Sequence, residues 1–223
     1  MSTTSRLYTI IAIGLSAVLS VAVVLTAITV TRNNVLSRST RSEDGKSEGK
    51  RCPLTANKLQ EALSKICDSR KDVLMDVSYG VEKLKCGDST TVEKTGTTPT
   101  IKLKHADEKA QYTVVMVDPD APGHSLENLK FYLHWVVTGT GLKNGINSPV
   151  TLMSYAGPTP PKGSGVHHYK LIVFQSSLEQ NGKPHLIQDN KKRNQFSLTE
   201  FVKENKFCTI VGLFEFTVAA DKK

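Results

Sequence analysis

Short apolar runs separated by Gly, Pro, Asn and Asp occupy the chain from Val73 to Val218, and they constrain its fold more than any other feature. Six of these runs have the length and residue types of β-strands: VLMDVSYG, TIKLKHA, QYTVVMV, FYLHWVVT, HYKLIVFQ and TIVGLFEFTV. No regular helix alternates with them, which argues against a parallel sheet built from βαβ units. The pattern predicts a mainly β protein, an antiparallel β-sandwich with a few peripheral helices.

Two short segments are predicted to form those helices. The segment TANKLQEALSKIC carries apolar residues at helical spacing, and Thr55 is a suitable N-cap. In SLTEFVKEN, Ser197 and Glu200 have the spacing of a capping box. Both helices are expected to pack on the outside of the sandwich.

The N-terminal region differs from the rest of the chain, because Leu7 to Val30 contains no charged residue over 24 positions. A helix of that length rises about 36 Å, enough to cross a hydrocarbon core of roughly 30 Å. The apolar core of a cleavable signal peptide is shorter, about 7–15 residues. We therefore expect residues 1–30 to form a transmembrane signal anchor. A signal peptide is the alternative, because Ser20 and Ala22 have the small-x-small pattern of a cleavage site.

The remaining chain divides into two parts. Residues 31–51 are polar and rich in Ser and charged residues, which predicts a flexible tether. Residues 52–223 hold all the strand-like runs and are predicted to form one domain. An apolar content of 39% and a charged content of 22% are typical of a globular protein. The net charge is +8, but the run KKR at 191–193 is too short, and lacks the interleaved aromatics, to indicate a nucleic-acid partner.

Arginines and cysteines give opposite indications of where the domain resides. Arg32, Arg38 and Arg41 follow the apolar segment, and the positive-inside rule would place the domain in the cytoplasm. An even number of cysteines also follows it, which suits two disulfides in an oxidising compartment; these are Cys52, Cys67, Cys86 and Cys208. Free buried thiols are the alternative. We expect a single-pass membrane protein with a lumenal or extracellular domain, or a secreted protein if the segment is cleaved.

No disulfide pairing follows from the spacing, although Cys52 with Cys86 or Cys208 would close long loops.

Candidate functional residues stand at the ends of the predicted strands. Asp118 and Asp120 lie on the turn DPDAPG directly after an apolar strand, and His134 lies within the apolar run FYLHWVV. His167 and Tyr169 share one face of a strand because side chains alternate along it. These five polar groups could converge on one pocket. Taken singly, the Asp pair is more typical of a solvated turn, and a lone His of a satisfied core residue.

The same alternation predicts the direction of the neighbouring side chains. It places His168 on the face opposite His167. It also places His134 with Val136, and Trp135 with Val137 on the other face. The loop YAGPTPPKGSG before His167 contains three prolines and three glycines, a composition often found where backbone approaches a ligand.

The segments YTVVMVDPDAPG…FYLHWVV and YAGPTPPKGSGVHHYKLIVF resemble the conserved blocks of the phosphatidylethanolamine-binding protein family, which includes the Raf kinase inhibitor protein and carboxypeptidase inhibitors. The resemblance extends from about Val73 to Val218. It implies a β-sandwich with a small anion pocket for phosphate or a phosphoethanolamine headgroup. By motif position, the pocket would be lined by Asp118, His134, Pro160, Pro161, His167 and Tyr169, with Asp120 supporting the turn. Membrane contact would come through the N-terminal segment.

Three features depart from the family pattern. The usual His-Arg-Tyr reads His167-His168-Tyr169, and Leu129 stands where several relatives have a pocket Tyr. The chain also ends at Lys223, where many relatives continue into another helix, so we expect a more open pocket.

Binding of a phospholipid headgroup or a small phosphorylated ligand is the favoured function. The alternative is inhibition of a serine protease or carboxypeptidase, which would supply a protease partner. Two Asp and two His could hold a metal, but no HExxH, zinc-type CxxC or G-x-S-x-G arrangement is present. Ser125 and Ser164 lie near the motifs and are interpreted as loop serines. We therefore predict no metal, no cofactor and no enzymatic activity.

Overall fold

A computed structural model of the protein describes residues 54–67, 75–176 and 193–222. The predicted span Leu7 to Val30 and the tether 31–51 lie outside these ranges. Within them, no helix is both long enough and apolar enough to cross a membrane.

The described elements are two helices and ten strands. In chain order they are α1 (Ala56–Ser64), β1 (Met75–Tyr79), β2 (Glu82–Leu84), β3 (Ser89–Thr90), β4 (Thr100–Leu103), β5 (Gln111–Asp118), β6 (Lys130–Thr140), β7 (Asn147–Met153), β8 (Val166–Gln175), β9 (Phe196–Ser197), α2 (Leu198–Glu204) and β10 (Thr209–Ala219).

All six predicted runs contain a strand, and the mainly β fold with few helices is confirmed. Four further strands were not predicted: β2, β3 and β9 have two or three residues each, and β7 is mostly exposed. Short strands and exposed edge strands lack the buried apolar pattern on which a sequence-based prediction depends.

The strands form two sheets. The smaller has the order β2-β1-β4, and the larger runs β3-β10-β8-β5-β6-β7, with β9 paired to β6 off this path. Neighbouring strands are antiparallel throughout the described residues except for β3, which pairs parallel to β10. The prediction of a mainly antiparallel arrangement is therefore correct.

Apolar residues bury both faces of the larger sheet, which explains why its central strands are apolar almost throughout. On β8, Leu171 and Val173 join the core cluster shared with the smaller sheet. Ile172 and Phe174 join a second cluster with the helices. A strand buried on both faces reads as a continuous apolar run rather than an alternating one.

The two helices begin where the capping residues predict. The Thr55 side chain accepts a hydrogen bond from the Lys58 backbone, and that of Ser197 accepts one from the Glu200 backbone. The α1 helix buries Leu59 and Leu63 in the second cluster. Each such burial contributes about 1.5–3 kcal/mol relative to an exposed side chain.

A β-bulge at His134 alters the predicted facing on β6. Opposite β5, Met116 pairs with Trp135 and the next residue, Val117, pairs with Leu133, so His134 is an extra residue between them. The extra residue shifts the alternation beyond it. Val136 consequently lies in the helix-side cluster, while the His134 ring contacts the ring of Tyr169. The prediction that His134 and Val136 share a face is therefore wrong.

A disulfide joins Cys67, just after α1, to Cys86, just after β2, with a Cα–Cα distance of 5.5 Å. Cys208 is also disulfide-bonded. Cys86 therefore does not pair with Cys52, which lies outside the described residues. The Cys67–Cys86 bond ties the first helix to the smaller sheet.

Candidate functional site

Asp118 and His167 form a buried pair where β5 ends and β8 begins. The His167 Nδ1 lies 2.8 Å from Asp118 Oδ2, and the side chains are 1% and 4% exposed. The other carboxylate oxygen of Asp118 accepts a hydrogen bond from the backbone of Asp120 at 2.8 Å. The DPD turn therefore fixes this carboxylate in one orientation, and the carboxylate in turn orients the His167 ring.

The second ring nitrogen of His167 is also engaged. Nε2 lies 2.8 Å from the hydroxyl oxygen of Ser164, and that hydroxyl donates to the Pro161 carbonyl at 2.6 Å. A serine hydroxyl has only one proton to donate, so it accepts from His167. Both ring nitrogens of His167 are therefore engaged, Nδ1 with the Asp118 carboxylate and Nε2 with the Ser164 hydroxyl. Two hydrogen bonds thus connect the side chains of Asp118, His167 and Ser164 into one network.

His134 presents a different chemistry. Its Nδ1 lies 2.7 Å from the Ala156 carbonyl, and because a carbonyl only accepts, Nδ1 must donate. Burial lowers the pKa of His134; the bond to Ala156 and the charge of Asp118 oppose this, and the charges of Arg193 and His167 add to it. The ring is therefore neutral at pH 7, and Nε2 carries a lone pair that can accept a hydrogen bond.

Aromatic rings pack around His134. The Tyr169 ring lies edge-on at a centroid distance of 5.1 Å, and the Tyr132 ring lies 5.0 Å away on the other side. Tyr169 is itself stacked on Phe216. Burial raises the pKa of Tyr169, so its hydroxyl remains a neutral donor, and it forms no hydrogen bond within the described residues.

Arg193 is a structural part of the site that the sequence did not reveal. Its guanidinium is buried and donates to the carbonyls of Leu133 and His134 at 3.0 and 2.9 Å. It also donates to the backbone and side-chain oxygens of Ser154. At the bulge, where the pairing of β6 with β5 is interrupted, Arg193 thereby supplies hydrogen-bond donors to two backbone carbonyls. In the sequence it is only the last residue of KKR, and no local pattern distinguishes it from a solvated cation.

Asp120, on the same turn as Asp118, contacts the first residues of β8. Its Oδ2 accepts from the backbone N–H of His168 and lies 2.8 Å from His168 Nδ1. His168 is therefore turned away from His167, as the alternation along β8 predicts. Asp120 and His168 are 39% and 45% exposed, so their ion pair contributes little to stability.

The Pro-rich loop positions Ser164, and through it the hydrogen-bonded network of Ser164, His167 and Asp118. Pro161 lies in the turn that presents Ser164, and Pro160, which precedes it, is half-buried. Gly157 packs so closely that a Cβ would stand 2.9 Å from the Thr95 carbonyl oxygen, which excludes larger residues without a backbone shift. The segment after β10 lies along this loop, with Gly163 donating to the Asp221 carbonyl at 3.0 Å.

Leu129, the position of the missing tyrosine, lies in the helix-side core and is 3% exposed. An aromatic beside His134 is nevertheless present, because Tyr132 lies two residues earlier on the same strand. The sequence contains the signal for Tyr132, since residues two apart on a strand share a face.

The fold and this polar cluster at the strand ends define a β-sandwich with a candidate small-ligand site. A family model described as "Phosphatidylethanolamine-binding protein" matches residues 76–214. The chain therefore belongs to the phosphatidylethanolamine-binding protein family, whose members include small-ligand binders.

Individual relatives are more distant. CEN-like protein 1 of Nicotiana tabacum is 30% identical over 99 residues, which is 44% of this chain and 56% of that protein. The chain thus spans little more than half the length of this relative. A phosphatidylethanolamine-binding protein from Plasmodium vivax superposes with a TM-score of 0.56 at 23% identity, covering 77% of this chain and all of that one.

A carboxypeptidase Y inhibitor, solved in complex with its cognate proteinase, superposes with a TM-score of 0.54 at 22% identity, covering 67% of this chain and 83% of that chain. At these identities, both structural likenesses establish a shared fold.

Proposed function

We propose that the domain is a non-enzymatic binding module for a small phosphate-bearing ligand, with the phosphoethanolamine headgroup of phosphatidylethanolamine as the preferred form. The proposal depends on two polar groups without a hydrogen-bond partner, which lie beside the buried, hydrogen-bonded pair of Asp118 and His167. Asp118 and His167 satisfy each other, while the Tyr169 hydroxyl is an unengaged donor and His134 Nε2 an unengaged acceptor.

The two free groups suit the two ends of this ligand. The Tyr169 hydroxyl donates to a phosphate oxygen, and the neutral His134 accepts from the ammonium or from a phosphate hydroxyl. A phosphate dianion, which brings no proton, is bound better once His134 is protonated. His167 is given no contact with the ligand, because both of its ring nitrogens are already engaged.

Three hydrogen bonds support binding rather than catalysis. The arrangement of Ser164, His167 and Asp118 has the connectivity of a nucleophile, a base and an orienting carboxylate. However, the Ser164 proton is directed to the Pro161 carbonyl and not to His167. The backbone N–H groups of Gly163 and Ser164 donate to the carbonyls of Asp221 and Pro161, so neither is available to stabilise an oxyanion.

Protease inhibition is the second candidate. The likeness to a carboxypeptidase Y inhibitor supports it, but that likeness extends to the fold alone. Stoichiometric loss of carboxypeptidase activity on addition of the protein would favour it over headgroup binding.

Calorimetric titration of the full chain with O-phosphorylethanolamine and with inorganic phosphate tests the main proposal. Tyr169→Phe should weaken both ligands about ten- to a hundredfold, since a hydrogen bond to a charged group contributes about 1.5–3 kcal/mol. Tyr155→Phe is the matched control, because the Tyr155 hydroxyl already donates to the Thr95 carbonyl at 2.7 Å. Its affinity should equal that of the unmodified protein.

Equal affinities in the two Tyr variants would refute the assignment. Ester hydrolysis that disappears in Ser164→Ala would refute the non-enzymatic character.

We also propose that the domain functions in an oxidising compartment, attached by its N-terminal segment or secreted after cleavage. The Cys67–Cys86 disulfide supports an oxidising environment, because such bonds are rare where thiols are kept reduced.

A further inference from the structure

A cavity between the two sheets shares no lining residue with the polar cluster of Asp118, His134, His167 and Tyr169. It has a volume of about 470 Å³ and is bordered by β4 on one side and by β7, the last strand of the larger sheet, on the other. Pockets that bind small molecules have volumes of about 300–1,000 Å³. This cavity is therefore large enough for a compact organic ligand.

The floor of the cavity is apolar and well packed. It consists of side chains that are each at most 7% exposed: Ile101, Val114, Trp135, Val137 and Leu142. Trp135 is held edge-on against Tyr155, with ring centroids 6.0 Å apart. A rigid aromatic wall of this kind suits a flat or branched apolar ligand.

The cavity contains no ionisable group apart from a tyrosine. Among its fourteen lining residues there is no Asp, Glu, Lys, Arg or His, although charged residues make up 22% of the chain. The tyrosine is Tyr155, and burial raises its pKa to about 12, so it is uncharged at neutral pH. A phosphate, a carboxylate or an ammonium group would find no counter-charge here, and its desolvation would be uncompensated.

The rim offers hydrogen bonding without charge. Thr100 on β4 and Thr151 on β7 both line the cavity, both are exposed, and their hydroxyls form no hydrogen bond within the described residues. Pro149 also lines the cavity and lacks the N–H that pairing with an added strand requires. The edge of β7 is thus poorly suited to a peptide strand.

From the volume, the apolar floor and the uncharged rim, we propose that this cleft is a second binding site, for a small uncharged aromatic or branched apolar molecule with one hydroxyl or carbonyl group. The ring would lie on Trp135 and Val137, and its polar atom would bond to a threonine of the rim. The site differs in chemistry from the polar cluster and does not depend on the function proposed for that cluster.

Contact quenching of tryptophan fluorescence tests the proposal, because Trp135 is the single tryptophan of the chain. The probe is 4-iodobenzyl alcohol, which is uncharged and whose iodine quenches indole emission on contact. In the full chain, quenching should saturate with probe concentration. Detergent around the N-terminal segment takes up probe, but probe in a micelle does not contact a buried indole.

Two pairs of variants locate the bound probe. Thr151→Lys introduces a charge and Thr151→Phe fills the cavity, so each should raise the half-saturating concentration at least tenfold. Val150→Lys and Val150→Phe are the matched controls, because Val150 is the adjacent, 53% exposed residue and does not line the cavity. These controls should stay within twofold of the unmodified protein.

Saturating inorganic phosphate should leave the quenching curve unchanged, which separates this site from the polar cluster. Linear quenching in the unmodified protein would overturn the proposal. So would equal curves for the Thr151 and Val150 variants, or loss of saturable quenching in the presence of phosphate.

Discussion

Burial on β6 holds His134 neutral, whereas His167 on β8 is held between a carboxylate and a hydroxyl. Two histidines of one site thus have different roles, and the difference arises from their partners. A carbonyl opposite Nδ1 leaves His134 with a free acceptor at Nε2. His167 has both ring nitrogens engaged, Nδ1 with the Asp118 carboxylate and Nε2 with the Ser164 hydroxyl.

The lowered pKa of His134 predicts how stability depends on pH. Above the ordinary histidine pKa of about 6.5, the ring is neutral in both the folded and unfolded chains and contributes no pH dependence. As the pH falls below that value, the unfolded chain binds a proton that the folded chain refuses, so the free energy of unfolding decreases. For one group the slope is at most about 1.4 kcal/mol per pH unit.

Urea denaturation between pH 8 and pH 5, compared with His134→Asn, isolates this effect. Asparagine retains an N–H for the Ala156 carbonyl but does not titrate, so its stability should fall less steeply on acidification. Parallel curves for the two proteins would show that the His134 pKa is not lowered by folding.

Among the elements, the bulge in β6 is what directs His134 towards Tyr169. Its backbone is held from two sides: Ala156 donates to the His134 carbonyl at 2.9 Å, and Arg193 donates to the same carbonyl and to that of Leu133. Arg193, which is distant in sequence, therefore stabilises the β6 bulge through hydrogen bonds that replace part of the strand pairing.

Replacing Arg193 should disturb both stability and binding. Arg193→Met removes the guanidinium donor from the Leu133 and Ser154 carbonyls and leaves the His134 carbonyl with the Ala156 N–H alone, so we expect a loss of about 3 kcal/mol in the free energy of unfolding. Affinity for phosphate should fall as well, because His134 loses its orientation. Lys65→Met, which removes a cation from an exposed pair with Glu61, is the control and should change stability by less than about 0.5 kcal/mol. Chemical denaturation and calorimetry measure both effects; equal losses in the two variants would contradict this role.

The Cys67–Cys86 disulfide links α1 to the smaller sheet across a sequence separation of 19. A loop of this size predicts that the double variant Cys67→Ser, Cys86→Ser is less stable by about 3 kcal/mol. The double variant is preferable to chemical reduction, because Cys208 is also disulfide-bonded and would be reduced together with this pair. Unchanged denaturation would indicate that the bond does not form in solution.

For the molecule as a whole, the prediction concerns its attachment to the membrane. If Leu7 to Val30 is a retained anchor, the protein should remain in the membrane pellet after alkaline carbonate washing, with a mature N-terminus before Leu7. A terminus near Val23, with the protein in the soluble fraction, would instead establish cleavage and secretion. Terminal sequencing of protein from its native cells distinguishes the two.

Local interactions made much of this architecture predictable from the sequence. Alternation along β8 correctly separated His167 from His168, and Thr55 and Ser197 marked the beginnings of the helices, because facing and capping depend on residues within a turn or a strand of one another. The resemblance of the DPD and Pro-rich segments predicted a pocket lined by Asp118, His134, His167 and Tyr169, and that pocket stays a prediction.

Other features of the fold and of the candidate site depend on tertiary structure and could not be predicted from the sequence. The bulge at His134 depends on its pairing with β5, and the role of Arg193 depends on carbonyls about sixty positions earlier in the chain. The partner of Cys67 and the uncharged cleft around Trp135 likewise arise where distant segments meet. Sequence spacing determines local conformation, but the environment that sets the pKa of a buried histidine or shapes a cavity is created by chain segments that meet only on folding.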